Sequence, residues 1–193
     1  MFDLGRSFLA AVERRPNAIA ISDGDLKKSY EAWFSDIQRA AHGLERLGLK
    51  KGDHLVAVMQ NRWQMATLHW ACQFSGIIMT PLNWRSSADE LAWCTNDAEA
   101  RVVIHDDSAQ EAVAGCGRST WQCVSVGQPG NDNAISFEEL CAETPSEIIL
   151  RADPRGLVVD ALHLRHHQPA QGRAAPPPRR TRRRGRPLSA EHV

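Results

Sequence analysis

Between His54 and Val126 the apolar residues arrive in two alternating rhythms, and that alternation limits the possible folds more than any other feature. Short, nearly continuous apolar runs at His54–Met59, Ile77–Thr80, Arg101–His105 and Trp121–Val126 read as strands buried on both faces. Between them lie segments of helical period. One runs from Arg62 to Gly76 with Trp63, Met65, Leu68, Trp70 and Phe74, one is capped by Ser86/Ser87, and Ala109–Ala114 forms a helical turn. Strands that alternate with helices build βαβ units, so the chain is expected to be α/β, with a mainly parallel sheet flanked by helices.

The local punctuation agrees with that reading. Gly48 follows a long periodic helix, Tyr30–Leu47, and Gly76 follows the Arg62 helix, each placed where a left-handed residue ends a helix. Asn61 stands at the N-cap position of the second helix, and Pro81 is expected to end the strand Ile77–Thr80. Ser87 with Glu90, and Ser136 with Glu139, have capping-box spacing. Ahead of these, residues 3–14 form an amphipathic helix with Leu4, Phe8, Leu9 and Val12 on one face. Ala18–Ser22 and Leu26–Tyr30 then form a hairpin about Asp23-Gly24-Asp25. Four tryptophans, Trp33, Trp63, Trp70 and Trp93, fall on the core faces of their helices.

Composition matters mainly because it changes abruptly. Residues 1–150 carry 13 Lys+Arg against 20 Asp+Glu, whereas residues 151–193 carry 10 Arg against 3 acids. The boundary therefore separates an acidic α/β lobe from an Arg/Pro-rich tail expected to be disordered. Five cysteines, an odd count without a CxxC pair, argue against a disulfide framework or a zinc site and suit a reducing cytoplasm. The amino terminus lacks the basic and apolar regions of a signal peptide, and no apolar run reaches membrane-spanning length.

The segment Gly48–Trp93, GLKKGDHLVAVMQNRWQMATLHWACQFSGIIMTPLNWRSSADELAW, carries a specific order of elements. A Gly-Asp turn, an apolar strand and an Asn-led helix precede Gly-x-x-x-x-Pro-Leu-Asn-x-Arg and Glu-Leu. With the hairpin and helix before it, this order resembles the N-terminal lobe of AMP-forming acyl-CoA and aryl-CoA synthetases, the adenylate-forming ligases. The resemblance covers most of residues 1–150. It implies a partial ligase lobe, a parent enzyme that adenylates a fatty or aromatic carboxylic acid with ATP and Mg, and a second step in which coenzyme A displaces AMP. It also implies that the phosphate loop, the acid pocket and a lysine-bearing C-terminal domain follow the lobe.

The tail contains that loop only in another reading frame. Codons allowed for Leu162–Ala174, started at their second base, read Tyr-Thr-Ser-Gly-Thr-Thr-Ser-Arg-Pro-Lys-Gly-Val, which resembles the family's Ser/Thr/Gly-rich phosphate loop. Only the degenerate base of each codon is adjustable in that exercise, one base in three. Leu157–Ala161 in the same frame permits an apolar run ending Leu-Met-Leu, so the frame is expected to change between about Leu150 and Leu157.

Residue-level candidates are few. The resemblance gives Arg85 as a possible contact to a phosphate of coenzyme A, for which a guanidinium is suited; the plainer expectation is pairing with Asp89 or Glu90. No catalytic residue and no metal ligand is assigned. The run His163, His166, His167 has metal-like spacing but no Cys or carboxylate partners, and Cys116 and Cys123 have no recognisable base beside them. Pro176–Pro178 could mimic a polyproline ligand. Two readings compete with a truncated acid–CoA ligase. One is a small α/β domain whose Arg-rich tail binds nucleic acid with strong salt dependence; the other is a partner protein that covers its open edge against another subunit.

Overall fold

Hydrophobic alternation produces the expected sheet. In the computed structural model, which describes residues 4–117, 120–127 and 134–143, five parallel strands form one sheet. They are β3 (His54–Val58), β4 (Ile78–Leu82), β5 (Val102–Asp106), β6 (Gln122–Val126) and the short β7 (Ile135–Ser136). The spatial order is β4-β3-β5-β6-β7. A separate antiparallel hairpin joins β1 (Ile19–Asp23) to β2 (Leu26–Ser29). The basic tail 151–193, with the His163 run and Pro176–Pro178, lies outside the described residues, as does most of the Gly127–Asn133 loop.

Because strand side chains alternate, each strand contributes to two cores. Leu55, Ala57, Met79, Val102, Ile104, Val124 and Val126 face helices α1 (Leu4–Arg14), α2 (Tyr30–Arg46) and α3 (Trp63–Ser75). Phe8 of α1 is the hub of that side, with ring centroids 4.4 Å from Trp70, 5.4 Å from Trp33 and 6.0 Å from Phe74. Each such aromatic pair adds about 0.5–1.5 kcal/mol beyond burial of its area. Val56, Val58, Leu82 and Val103 face the other way, toward Leu91 and Cys94 of α4 (Ala88–Asp97) and Val113 of α5 (Gln110–Gly115). A last short helix, α6 (Phe137–Leu140), docks on α2, where the Leu140 carbonyl lies so close to Gly43 that a side chain there would collide with it.

Three sequence expectations need correction. Pro81 lies within β4, paired with Ala57, rather than ending it. β4 is an edge strand, where a residue without an N–H interrupts no neighbour. The N-cap of α3 is Arg62, not Asn61, and no side chain of its own caps the helix; Asp23 of the hairpin instead accepts the Trp63 N–H at 3.0 Å, a long-range cap. Trp93 is 51% exposed, so its place on α4 is outside the core. The capping boxes at Ser87/Glu90 and Ser136/Glu139 form as expected.

Candidate functional site

A doubly wound sheet presents ligands at the carboxyl ends of its strands, where successive connections leave toward opposite faces. Here that switch lies between β3 and β5: β3 leads into α3 on the aromatic side, and β5 leads by a 3-10 turn, Asp107–Ala109, into α5 on the other. The last residue of β5, Asp106, is fully buried at this point. One carboxylate oxygen accepts the Gln60 N–H at 3.1 Å and faces Arg62 Nε at 3.3 Å. The other accepts the Ser108 N–H at 3.1 Å and the Ser108 hydroxyl. Both oxygens are thus occupied, and the carboxylate staples the two loops that flank the switch.

This arrangement holds geometry; it offers no free base. Arg62 neutralises Asp106 through Nε, and an unpartnered carboxylate buried this deeply would cost several kcal/mol. Sequence reading missed the pair because nothing local marks it. An acid after a buried strand is ordinarily a turn residue, and only the packing of the β3 loop over β5 makes it an interior acceptor.

Arg85 stands on the neighbouring loop, after β4. It is exposed, and its guanidinium carbon lies 3.6 Å above the Trp84 ring. It is not ion-paired to Asp89 or Glu90, the plainer expectation; the Glu90 carboxylate instead accepts the Ser87 N–H at 2.9 Å and Ser87 Oγ at 3.2 Å. Asn83 Oδ1 accepts the Arg85 N–H at 3.0 Å and fixes the loop. Contact with the indole engages the planar cation by its face and is compatible with its N–H groups donating elsewhere.

The opposite edge of the sheet carries a shallow groove of about 860 Å³ beside Asn96, Glu99, Arg101, Trp121 and Gln122. Two of its polar side chains are engaged in holding the neighbouring turns. Arg101 pairs with Asp53 at 3.0 Å, and Gln122 Nε2 donates to the Leu47 carbonyl at 3.0 Å. The candidate site is therefore taken at the switch side, because this groove brings together no set of reactive groups.

The cysteines are poor nucleophiles in their surroundings. Burial pushes the Cys72 thiol up to about 12 and Cys123 to about 11. Cys141 is raised to about 12, by burial and then by the Asp36 charge. Cys94 and Cys116 are also raised, chiefly by burial, so none of the five is a ready thiolate. His69 is lowered by burial. No group of three or more His, Cys, Asp or Glu side chains among the described residues is placed to hold a metal ion, and no helix among them is long and apolar enough to cross a membrane.

Comparison with known proteins agrees with the fold. Residues 8–175 match the pattern of the family described as AMP-binding enzyme. The 2-succinylbenzoate–CoA ligase of Geobacillus kaustophilus (strain HTA426) is 30% identical over 126 residues, which are 65% of this chain and 25% of that protein. A feruloyl-CoA synthase of Amycolatopsis sp. is 30% identical over 99 residues, 51% of this chain and 20% of its own. A benzoate CoA ligase from Burkholderia xenovorans LB400 superposes with a TM-score of 0.73 at 19% identity, covering 82% of this chain and 32% of that one. The chain thus spans a quarter or less of the length of these two curated relatives.

Proposed function

The chain belongs to the AMP-binding enzyme family, and from that premise we propose that it is the amino-terminal lobe of an AMP-forming acid–CoA ligase. The observation that carries the reading is the family match over residues 8–175, joined to a lobe whose switch-side loops are held rigidly by Asp106. The parent would join a fatty or aromatic carboxylic acid to coenzyme A at the expense of ATP. The two curated relatives at 30% identity are named for 2-succinylbenzoate and feruloyl-CoA, both aromatic, which favours that class.

The described residues do not fit ATP or Mg. No Ser/Thr/Gly loop with a lysine is present among them, Asp106 is saturated, and no carboxylate cluster is available. An inactive isolated lobe is part of this proposal, because activation of an acid requires preorganised groups around the triphosphate. Arg85 does fit a phosphate of coenzyme A. It is exposed on the loop after β4 with its guanidinium over the Trp84 ring, and binding would orient the nucleotide end of the thiol donor. Five free thiols suit a reducing cytoplasm as its location.

A chimera tests the reading. Residues 4–143 replace the matching part of the Geobacillus kaustophilus ligase, and ATP-dependent thioester formation is measured beside the isolated chain. The expected result is an active chimera and an inactive chain. In that chimera Arg85→Ala should raise KM for coenzyme A several-fold and leave kcat and KM for ATP near their starting values. A soluble, folded chimera without activity would overturn the assignment of the lobe; an unchanged KM would remove Arg85 from it.

A further inference from the structure

We infer that the gene for this chain holds one surplus base between codons 150 and 157, and that a phosphate cradle is encoded beyond it in the neighbouring frame. The inference rests on the family reading above and adds the place where the translated chain leaves it. Three observations converge.

First, the composition changes in the stretch where the family match ends. From residue 151 to residue 175 the chain has 4 arginines against 2 acids, and past the end of the match 6 more arginines and a Pro-Pro-Pro run follow. A βαβ lobe has no use for such a stretch, because it supplies neither apolar alternation nor turn chemistry.

Second, the shifted frame restores what the lobe's architecture calls for next. Codons for Leu157–Ala161 permit an apolar run ending Leu-Met-Leu, and those for Leu162–Ala174 permit Tyr-Thr-Ser-Gly-Thr-Thr-Ser-Arg-Pro-Lys-Gly-Val. An apolar strand followed by small hydroxyl residues, glycine and a lysine is a phosphate cradle in physical terms. Glycine lets the backbone approach, N–H and O–H groups donate, and the lysine offsets charge. Such a loop placed after another parallel strand would emerge at the carboxyl edge, the edge where Asp106 staples the switch loops.

Third, the shift has one direction throughout. The second base of each translated codon opens each restored codon from Leu157 to Ala174, so a single added base accounts for the whole stretch, and its removal returns the frame.

The test is to sequence the genomic DNA from codon 140 through about 200 codons downstream, then delete one base between codons 150 and 157 and express the product. The inference predicts that the degenerate bases at codons 162–173 are those that spell the cradle. It also predicts an open frame that continues far past Val193, and a repaired protein that catalyses acid-dependent exchange of pyrophosphate into ATP, with the loop Lys→Ala variant losing at least a hundredfold. Other degenerate bases, or an early stop in the shifted frame, would overturn it while leaving the family assignment of residues 8–175 intact. A cradle present in the DNA with a folded repaired protein that binds ATP but activates no acid would instead sink the ligase reading and leave the frame inference standing.

Discussion

The two faces of the sheet are built from the same strands and are held very differently. On one face three helices close over a cluster centred on Phe8, in which Trp33, Trp70 and Phe74 meet it ring to ring. On the other, two short helices cover Val56, Val58 and Val103, and α4 leaves Trp93 exposed. Each side buries hydroxyls without a hydrogen-bond partner, Thr80 and Ser125 on the thinner one and Ser75 of α3 on the other. The difference teaches that parallel-strand patterning buries both faces, while the helices decide how much each burial is worth.

Phe8→Ala is the sharpest attempt to break the thick face. It removes the hub of the aromatic cluster and should cost about 3–5 kcal/mol, read as a lowered urea midpoint. Asp106→Ala acts where the faces part. Losing the acceptor strands the Gln60 and Ser108 N–H groups and unpairs Arg62, for about 3 kcal/mol, with hydrogen exchange rising first at those two amides. Leu91→Ala strikes the thin face at its largest fully buried side chain. A loss of about 2 kcal/mol, at the low end for a buried leucine, is expected because the sparse packing there can collapse around the gap. Equal losses for Phe8→Ala and Leu91→Ala would show that the faces contribute alike.

The opposite sign is expected at Thr80, whose hydroxyl is buried on β4 without a partner. Thr80→Val keeps the shape and removes an unsatisfied polar group, which should stabilise by about 1 kcal/mol. A loss instead would mean that a bound water completes the thin face, and the contrast between faces would narrow.

Local chemistry was legible wherever it was self-contained. The α/β alternation, both capping boxes and the stops at Gly48 and Gly76 all follow from spacing within a few residues. What escaped depended on remote partners. Asp23 caps α3 from forty residues away, Pro81 is tolerated only because β4 is an edge, and Trp93 lies outside the core because the thin face gives it no opposing helix layer. Arg85 was visible as a residue but its stacking partner, Trp84, was not, since adjacency in sequence does not fix which way a side chain folds.

The same limit explains the third helix ending. α2 and α3 end with Gly48 and Gly76 at φ of 87° and 73°. α4 ends in the same hydrogen-bond pattern, with Ala100 N–H to the Thr95 carbonyl at 2.9 Å and Glu99 N–H to the Asn96 carbonyl at 3.1 Å. Its left-handed residue is Glu99, at φ of 49°, the only non-glycine with positive φ among the described residues. A side chain there meets its own backbone, so the position was invisible to a search for glycine punctuation. Glu99→Gly should relieve that contact and stabilise the thin face. The gain is expected to be about 0.5–1 kcal/mol, reduced by the extra freedom glycine gives the unfolded chain. Thermal unfolding of the variant reads the net. A rise in Tm means relief of strain outweighs the added entropy; a fall means that the exposed glutamate makes a contact at this edge worth more than the strain it bears.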